Sequence, residues 1–231
     1  MLVKVCGRFK RSATWAEYYA YLGLNTPMPN APPRYNVAPT DEVYVVRKSK
    51  GSDAPELVAL RWGLVPYWAK DAKSAAKNIN ARAETVDEKP SFRGAFARRP
   101  CLVLADGFYE WRKEGKGRQP YMITQPDGGP FVFAGLWESW RAANENEQSL
   151  ETCTIVTTDA SDVLRDIHPR MPVILKPDDH ATWLDRDDLS ARKQLLRPLP
   201  GELIAITRVT TRVNSVANDD AACMAPELTL L

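Results

Sequence analysis

The stretch CLVLADGFYEWRKEGKGRQPYMITQPDGGPFVFAGL, residues 101–136, contains three runs rich in β-branched and aromatic residues. Runs of this kind, bounded by glycine, proline and aspartate, are typical of β-strands. We predict strands over Cys101–Ala105, Tyr121–Thr124 and Phe131–Leu136. The same pattern recurs in the rest of the chain and predicts further strands there.

Outward from this stretch, the sequence predicts more strands than helices. Further strands are expected at Val43–Arg47, Leu57–Trp62, Thr152–Thr157, Pro172–Leu175 and Leu203–Val213. Helices are expected at Phe92–Arg98, Ser161–His168, Asp179–Leu184 and Leu189–Leu196. These helices are too few for the strict strand-helix alternation of a parallel α/β fold. The sequence therefore predicts an α+β fold, with a predominantly antiparallel sheet closed into a barrel-like core and short flanking helices.

The N-terminal part contains one clear helix signal. Thr14 and Glu17 form a capping-box pattern, and Gly23 marks the end of an amphipathic segment. The proline-rich connector Thr26–Pro39 is expected to be extended and to wrap the surface, because residues before proline avoid helical geometry.

Composition restricts the class of protein. The 231 residues, 44% of them hydrophobic, are enough for the single domain that we expect over residues 1–231. No stretch approaches the roughly 18 apolar residues of a membrane span, and the start lacks a secretory signal, so we expect a cytoplasmic protein. A net charge of +2 requires that any DNA contact come from a local patch. Four scattered cysteines and two histidines argue against a metal site.

Five segments combine residues that are awkward for folding with residues useful in catalysis. They are CGRF from Cys6, WGLVPYW from Trp62, NARAET from Asn80, DGFYEW from Asp106 and HPRMPVIL from His168. Each has an ordinary structural explanation. Cys6 fits a buried thiol, and Asn80 fits an Asx-turn residue. Glu110 fits an exposed strand position, and His168 fits a helix C-cap.

In order and spacing, the five segments together resemble the signature of the SOS response-associated peptidase (SRAP) family. YNVAPT from Tyr35 and VNSVANDDAACMAPEL from Val213 extend the likeness to almost the full chain. The resemblance implies the fold of that family. It also implies a DNA-repair activity without a cofactor, in which the protein binds single-stranded DNA and traps abasic sites covalently through an N-terminal cysteine.

The resemblance makes Cys6 the reactive residue. In the family the initiator methionine is removed, so the cysteine has a free α-amine and a thiol, with reference pKa values of about 7.7–8.0 and about 8.5. Both nucleophiles are then expected to be partly available at neutral pH. The amine would attack the aldehyde of an abasic site to form a Schiff base, and the thiol would close a five-membered thiazolidine ring.

The sequence departs from the family at its start, because MLVKV precedes Cys6. A Cys6 nitrogen acylated by Val5 is an amide and cannot form a Schiff base. Three explanations stay open: a misassigned translation start, later removal of residues 1–5, or loss of crosslinking with binding retained. We favour the first, because a GTG valine codon at position 5 would also serve as a bacterial start codon. Autoproteolysis would free Cys6 as well.

The resemblance also assigns roles to other side chains. Glu110 is implied to be the general acid/base, with a pKa raised by an apolar pocket. His168 is implied to shuttle a proton, and Asn80 to orient the Cys6 amine or the sugar hydroxyls.

A DNA-binding patch is predicted around these residues. Arg8, Arg82 and Arg170 each lie within two residues of an implied catalytic residue, and their guanidinium groups suit phosphate oxygens. Trp68 and Trp62 resemble the aromatic shelf of the family, on which a base stacks.

Three functions stay open on these grounds. The leading one is abasic-site crosslinking by a monomer whose partner is single-stranded DNA. The second is a cysteine peptidase or autoprotease, with Cys6 as nucleophile, His168 as base and Glu110 orienting the pair. The third is a non-catalytic single-strand binder with a blocked cysteine.

Overall fold

The computed structural model describes residues 6–49, 51, 53–142 and 149–227, without the side chains of residues 74–76. The predicted leader, residues 1–5, lies outside the described residues. The strands are β1 Phe9–Arg11, β2 Arg34–Val37, β3 Glu42–Lys48, β4 Pro55–Trp62, β5 Asn80–Arg82, β6 Pro100–Ala105, β7 Gly107–Glu114, β8 Gly117–Thr124, β9 Phe131–Trp140, β10 Leu150–Asp159, β11 Arg170–Pro172, β12 Ile174–Leu175 and β13 Ala205–Arg208. The helices are α1 Trp15–Leu22, α2 Arg93–Arg98, α3 His180–Leu184 and α4 Leu189–Gln194.

Five strands close into a barrel. They pair in the order β10-β4-β3-β6-β9, and β9 returns to pair with β10. All neighbours are antiparallel except β4 and β10, which run parallel. Beyond the end of β4, β5 continues alongside β10, also in parallel. The predicted α+β fold with a barrel-like core is confirmed.

A second sheet packs against the barrel through aromatic side chains. Its strand order is β13-β8-β7-β1-β2, and every pairing is antiparallel. Phe9 of β1 meets Trp62 and Phe133 of the barrel at ring-centroid distances of 5.2 and 5.7 Å. Phe108 of β7 also meets Phe133, at 6.1 Å. Edge-to-face contacts of this kind add to the hydrophobic contribution of the buried rings.

The predicted N-terminal helix is confirmed together with its caps. Thr14 and Glu17 form the reciprocal capping box, and Gly23 ends α1 in a left-handed conformation with φ of 62°. None of the described helices is long and apolar enough to cross a membrane.

Some sequence predictions were wrong. Ser161–His168 forms only a 3-10 turn at Asp162–Leu164, because Ser161 provides no side-chain cap and Pro169 has no N–H to continue a helix. The Leu203–Val213 run forms a strand only over β13. The connector Thr26–Pro39, expected to wrap the surface as an extended chain, instead contributes β2 to the second sheet.

A buried carboxylate fixes the position of β1 against β7. Asp106, only 2% exposed, pairs with Lys10 at 2.8 Å. It also accepts hydrogen bonds from the backbone N–H groups of Ser12 at 2.9 Å and Ala13 at 2.7 Å, and from the Ser12 hydroxyl at 2.8 Å. Its own N–H donates to the Lys10 carbonyl. These bonds hold the register that pairs Phe9 with Phe108.

We expect Asp106→Ala to lower the free energy of unfolding by about 3–5 kcal/mol, because it leaves the Lys10 ammonium buried without its counter-charge. Urea denaturation of the two proteins measures this. Asp162→Ala, which removes an exposed partner of Arg165, is the control and should stay within about 0.5 kcal/mol. Equal losses for the two variants would contradict the anchoring role of Asp106.

Candidate active site at Cys6 and Glu110

The N-terminal strand brings Cys6 directly onto Glu110. The register of β1 on β7 places Arg8 opposite Tyr109, whose N–H donates to the Arg8 carbonyl at 3.0 Å. Two residues earlier, the N–H of Cys6 donates to Glu110 Oε1 at 2.5 Å. Both residues are buried, at 0% and 2% exposure. The α-nitrogen that would be the amine of a terminal cysteine therefore touches the predicted acid/base carboxyl.

Strand alternation explains why Glu110 faces Cys6. Successive side chains of a strand point to opposite faces. Phe108 joins the core that contains Cys6, whereas Tyr109 and Trp111 belong to a separate cluster on the other face. Glu110 therefore projects from the Phe108 face, into the core.

Burial changes the acidity of both groups. Desolvation raises the pKa of Glu110 to about 8, although hydrogen bonds from the backbone of Cys6 and Trp111 oppose the change. Desolvation, and then repulsion from Glu110, raises the pKa of the Cys6 thiol well above its usual value. In the chain that retains residues 1–5, the raised pKa therefore favours the protonated thiol. For a terminal Cys6, the availability of both nucleophiles at neutral pH stays a prediction.

A raised carboxyl pKa makes stability depend on pH. Glu110 binds its proton more tightly in the folded chain, up to a pKa of about 8, than in the unfolded chain, where the pKa is about 4.3. The stabilisation that comes from this proton is therefore complete below the pKa of the unfolded chain. It decreases as pH rises and is lost once pH passes through about 8. Relative to Glu110→Gln, we expect the chain with residues 1–5 to lose about 2–3 kcal/mol between pH 6 and pH 9, measured by urea denaturation. A constant difference between the two proteins would contradict this assignment.

Strand β10 brings Asn80, Arg82 and Arg170 to one region. Asn80 and Arg82 of β5 pair with Ile155 and Thr157 on one side of β10. On its other side, Arg170 of β11 pairs with Asp159. Ile155, which pairs with Asn80, belongs to the same extended core cluster as Cys6.

His168 is anchored by backbone contacts. Its N–H donates to the Leu164 carbonyl, and its Nδ1 lies 3.1 Å from both the N–H and the carbonyl of Arg170. Desolvation lowers the His168 pKa, and the positive charges of Arg170 and Arg118 lower it further. The imidazole is therefore neutral at pH 7 and able to accept a proton. Its role as a proton shuttle stays a prediction.

The three predicted DNA-binding arginines differ in availability. Arg82 is exposed. Arg170 forms ion pairs with Glu84 at 2.9 Å and Asp159 at 3.2 Å, so its charge is already compensated. Arg8 Nη1 donates to Asn36 Oδ1 at 2.8 Å and to the Val213 carbonyl at 2.9 Å, both of them neutral acceptors. Arg8 and Arg82 therefore keep positive charge available for a phosphate.

The two predicted stacking tryptophans also differ. Trp62 is fully buried, and its Nε1 donates to the Ile79 carbonyl at 2.9 Å. Its place on the aromatic shelf needs correction, because a ring packed in the barrel offers no face to a base. Trp68 is 53% exposed and remains available.

Asn36, within the YNVAPT segment, is a functional candidate to which sequence reasoning assigned no role. Besides accepting from Arg8, its buried amide donates to the carbonyls of Val213, Ser215 and Asn218. It therefore fixes Arg8 and the C-terminal segment together. Asn36 lies between Arg8, a predicted DNA-binding residue, and the segment that begins at Val213. This position is visible only in the three-dimensional structure.

The cysteines do not point to a metal or disulfide site. All four are buried free thiols. Within the described ranges, no group of three or more histidine, cysteine, aspartate or glutamate side chains is placed to hold a metal ion.

Comparison with known proteins identifies the family. The model of the SOS response associated peptidase (SRAP) family matches residues 5–216. The chain belongs to this family. The abasic site processing protein YoqW of Bacillus subtilis is 37% identical over 220 residues, covering 93% of this chain and 96% of YoqW.

Other SRAP relatives extend the match to animals and to experimental structures. The abasic site processing protein HMCES of Gallus gallus is 36% identical over 223 residues, covering 84% of this chain and 66% of HMCES. A crystal structure of a Bacteroides thetaiotaomicron protein superposes with a TM-score of 0.85 at 27% identity, covering 96% of this chain and all of that one. The SRAP chain described here thus shares its fold with bacterial proteins.

Proposed function

We propose that this protein, with Cys6 as its first residue, binds single-stranded DNA and traps abasic sites as a thiazolidine crosslink. One observation carries the proposal: the Cys6 α-nitrogen lies 2.5 Å from a buried carboxyl oxygen of Glu110. The names of its relatives as abasic site processing proteins support the substrate. We further propose that it forms a single domain and acts as a cytoplasmic monomer.

In the first step, the Cys6 amine attacks the open-chain aldehyde of the abasic sugar. Glu110 accepts a proton from the ammonium, which makes the amine nucleophilic, and returns a proton to the carbinolamine hydroxyl. Water leaves, and a C=N bond forms. Because a free ammonium at this distance favours the ionised carboxyl, the two groups share a proton and titrate as a pair.

In the second step, the Cys6 thiol adds to the imine carbon. A C–S bond forms, the S–H bond breaks, and the proton goes to the nitrogen, so the five-membered ring closes without loss of atoms. A buried thiol that keeps its proton supplies the proton that this step needs. We propose that His168 relays it, and that Asn80 orients the amine.

Two forms of the chain test this proposal. Each form, beginning at Cys6 or retaining residues 1–5, is incubated with single-stranded DNA that contains one abasic site and is run on a denaturing gel. We expect a shifted band only from the form that begins at Cys6, and none with undamaged DNA. Binding by both forms without any shifted band would instead support a non-catalytic single-strand binder.

Self-cleavage between Val5 and Cys6 is a second candidate activity, favoured by the backbone of Cys6. Its φ of 43° lies in the left-handed region, which costs a non-glycine residue roughly 1–2 kcal/mol. Attack of the Cys6 thiol on the Val5 carbonyl, followed by hydrolysis of the thioester, would release this strain and free the amine. Intact-mass analysis of the purified full chain tests it, because only cleavage removes the mass of residues 1–5.

A further inference from the structure

A cavity between the two sheets combines apolar walls with basic side chains. Its volume is about 200 Å³. One wall comes from β1 and β2 of the second sheet, and the other comes from β3 and β6 of the barrel. Pro32 and Glu42 are exposed lining residues and border its open side. Among the described residues, none of those proposed for catalysis or DNA contact lines it. We call it the inter-sheet cavity.

The apolar part of the inter-sheet cavity lies deep in the fold. Phe9, Val37, Val43 and Leu104 line it, and none of them is more than 3% exposed. Walls of this kind favour an apolar ligand, because the contact removes the ligand's surface from water. An apolar cavity of roughly 150 Å³ is enough to hold a benzene ring. The inter-sheet cavity therefore has room for a ring with a small polar group.

Arg11 adds a buried positive charge to this cavity. The residue is only 5% exposed, and its guanidinium lies 4.6 Å from the ring centroid of Trp15 and 5.5 Å from that of Tyr44. Its Nη2 donates to the Pro32 carbonyl, which is a neutral acceptor. A guanidinium has five N–H donors, so further bonds to a ligand are open to it.

The surroundings of Arg11 do not supply a counter-charge. In the parts of the chain that the structure describes, no carboxylate forms an ion pair with Arg11, and Asp106 pairs with Lys10 instead. Desolvation lowers the pKa of Arg11, and the charge of Arg34 lowers it further, although nearby tyrosines and Asp106 oppose the change. A buried charge without a partner is unfavourable, and a bound anion would offset that cost.

Two other charged residues line the inter-sheet cavity. Arg34 pairs with Asp41 at 2.7 Å and with Asp219, so its charge is already compensated. Glu42 lies at the open side and is exposed, where salt screens its charge. Arg11 is therefore the group that an anion would contact, and Glu42 would oppose the anion only weakly.

We propose that the inter-sheet cavity binds a small aromatic carboxylate. Its carboxylate accepts charge-assisted hydrogen bonds from Arg11, and its ring packs against Phe9, Val43 and Leu104. The inference goes beyond the proposed function and does not depend on it, because the cavity and the Cys6 site use different side chains. A ligand that binds here also stabilises the folded chain by mass action.

Benzoate and benzamide provide a matched pair of probes. They share the ring and nearly the same shape, but only benzoate is charged at pH 7. Titration of the full chain, followed by NMR of the valine and leucine methyl groups, gives both Kd and the location of binding. We expect benzoate to cause saturable shifts at Val37, Val43 and Leu104. Benzamide should bind about tenfold more weakly, because it lacks the charge-assisted bonds to Arg11.

Variants of the cavity separate the charge from the apolar walls. Arg11→Gln should weaken benzoate binding about tenfold and leave benzamide binding unchanged. Because Arg11 also packs on aromatic rings, Ala31→Leu provides a second test: it fills part of the cavity and should weaken both probes. Ala20→Leu makes the same change at an exposed position of α1 and should bind like the wild type. Glu42→Gln should bind benzoate at least as tightly as the wild type.

Two results would overturn the inference. One is the absence of saturable benzoate shifts at the cavity methyl groups of the wild type, or the same benzoate Kd for the wild type and Ala31→Leu. The other is equal affinity of the wild type for benzoate and benzamide, which would show that the cavity does not select a carboxylate.

Discussion

Replacing Cys6 with alanine in the chain that begins at residue 6 is expected to abolish the crosslink that survives denaturation. Alanine keeps the α-amine beside Glu110, so the imine still forms, but no thiol remains to close the ring. Borohydride reduction during the reaction should therefore still fix a protein-DNA band, whereas the unreduced sample should show none. Denaturing gels with and without borohydride measure both products.

A second buried thiol provides the control for Cys6→Ala. Cys223 is also buried, and its Sγ contacts the Asn218 carbonyl at 3.4 Å, in the cluster on the other face of β7. Cys223→Ala should leave crosslinking unchanged. A stable band from Cys6→Ala without borohydride would mean that another nucleophile forms the link, and the thiazolidine mechanism would be abandoned.

Glu110→Gln is expected to slow crosslinking by roughly 100- to 10,000-fold, the range for loss of a positioned general acid/base. The amide can still accept the Cys6 N–H bond, but it can neither take a proton from the ammonium nor return one to the carbinolamine. The rate at saturating DNA, followed by quenched samples on denaturing gels, should fall, while Kd for undamaged DNA stays the same.

Glu114, on the same strand, provides a control variant. It distinguishes the local effect of Glu110→Gln from a general reduction of negative charge. Glu114 lies at the end of the β7–β8 hairpin and pairs with Arg112 and Arg208, which lower its pKa to about 2. Glu114→Gln should leave the crosslinking rate at the wild-type value. Equal rates for Glu110→Gln and wild type would remove Glu110 from the mechanism.

Sequence signals were sufficient to predict the elements that are stabilised by contacts between residues close in the chain. The capping box and Gly23 fix α1 by contacts within a few residues. The apolar strands β6, β9 and β10 are recognisable because barrel strands buried on both faces form continuous hydrophobic runs.

Elements stabilised by distant partners were not predictable in the same way. Strand β1 contains Lys10 and Arg11, which resemble surface residues until Asp106 and the aromatic rings of Trp15 and Tyr44 cover them. Strand β2 lies in a proline-rich stretch and exists because β1 pairs with it.

In the candidate site too, some features could be predicted from the sequence and others depend on the fold. The motifs named Cys6 and Glu110, but the contact between them depends on pairing across about a hundred residues of chain. The burial of Trp62 also depends on long-range packing, since exposed and buried tryptophans are alike in the sequence. The resemblance named Cys6 and Glu110, whereas the contact between them and the surroundings of each side chain needed the fold.

The link between Asn36, Arg8 and the C-terminal segment has a consequence for synthesis. Asp219 accepts from the N–H groups of Tyr35 and Asn36, and the Val213 carbonyl accepts from Arg8. A growing polypeptide cannot complete these bonds until residue 219 has left the ribosome. The nascent chain can therefore hold Arg8 and Asn36 in these positions only after residue 219 has been synthesised, long after Arg8 itself.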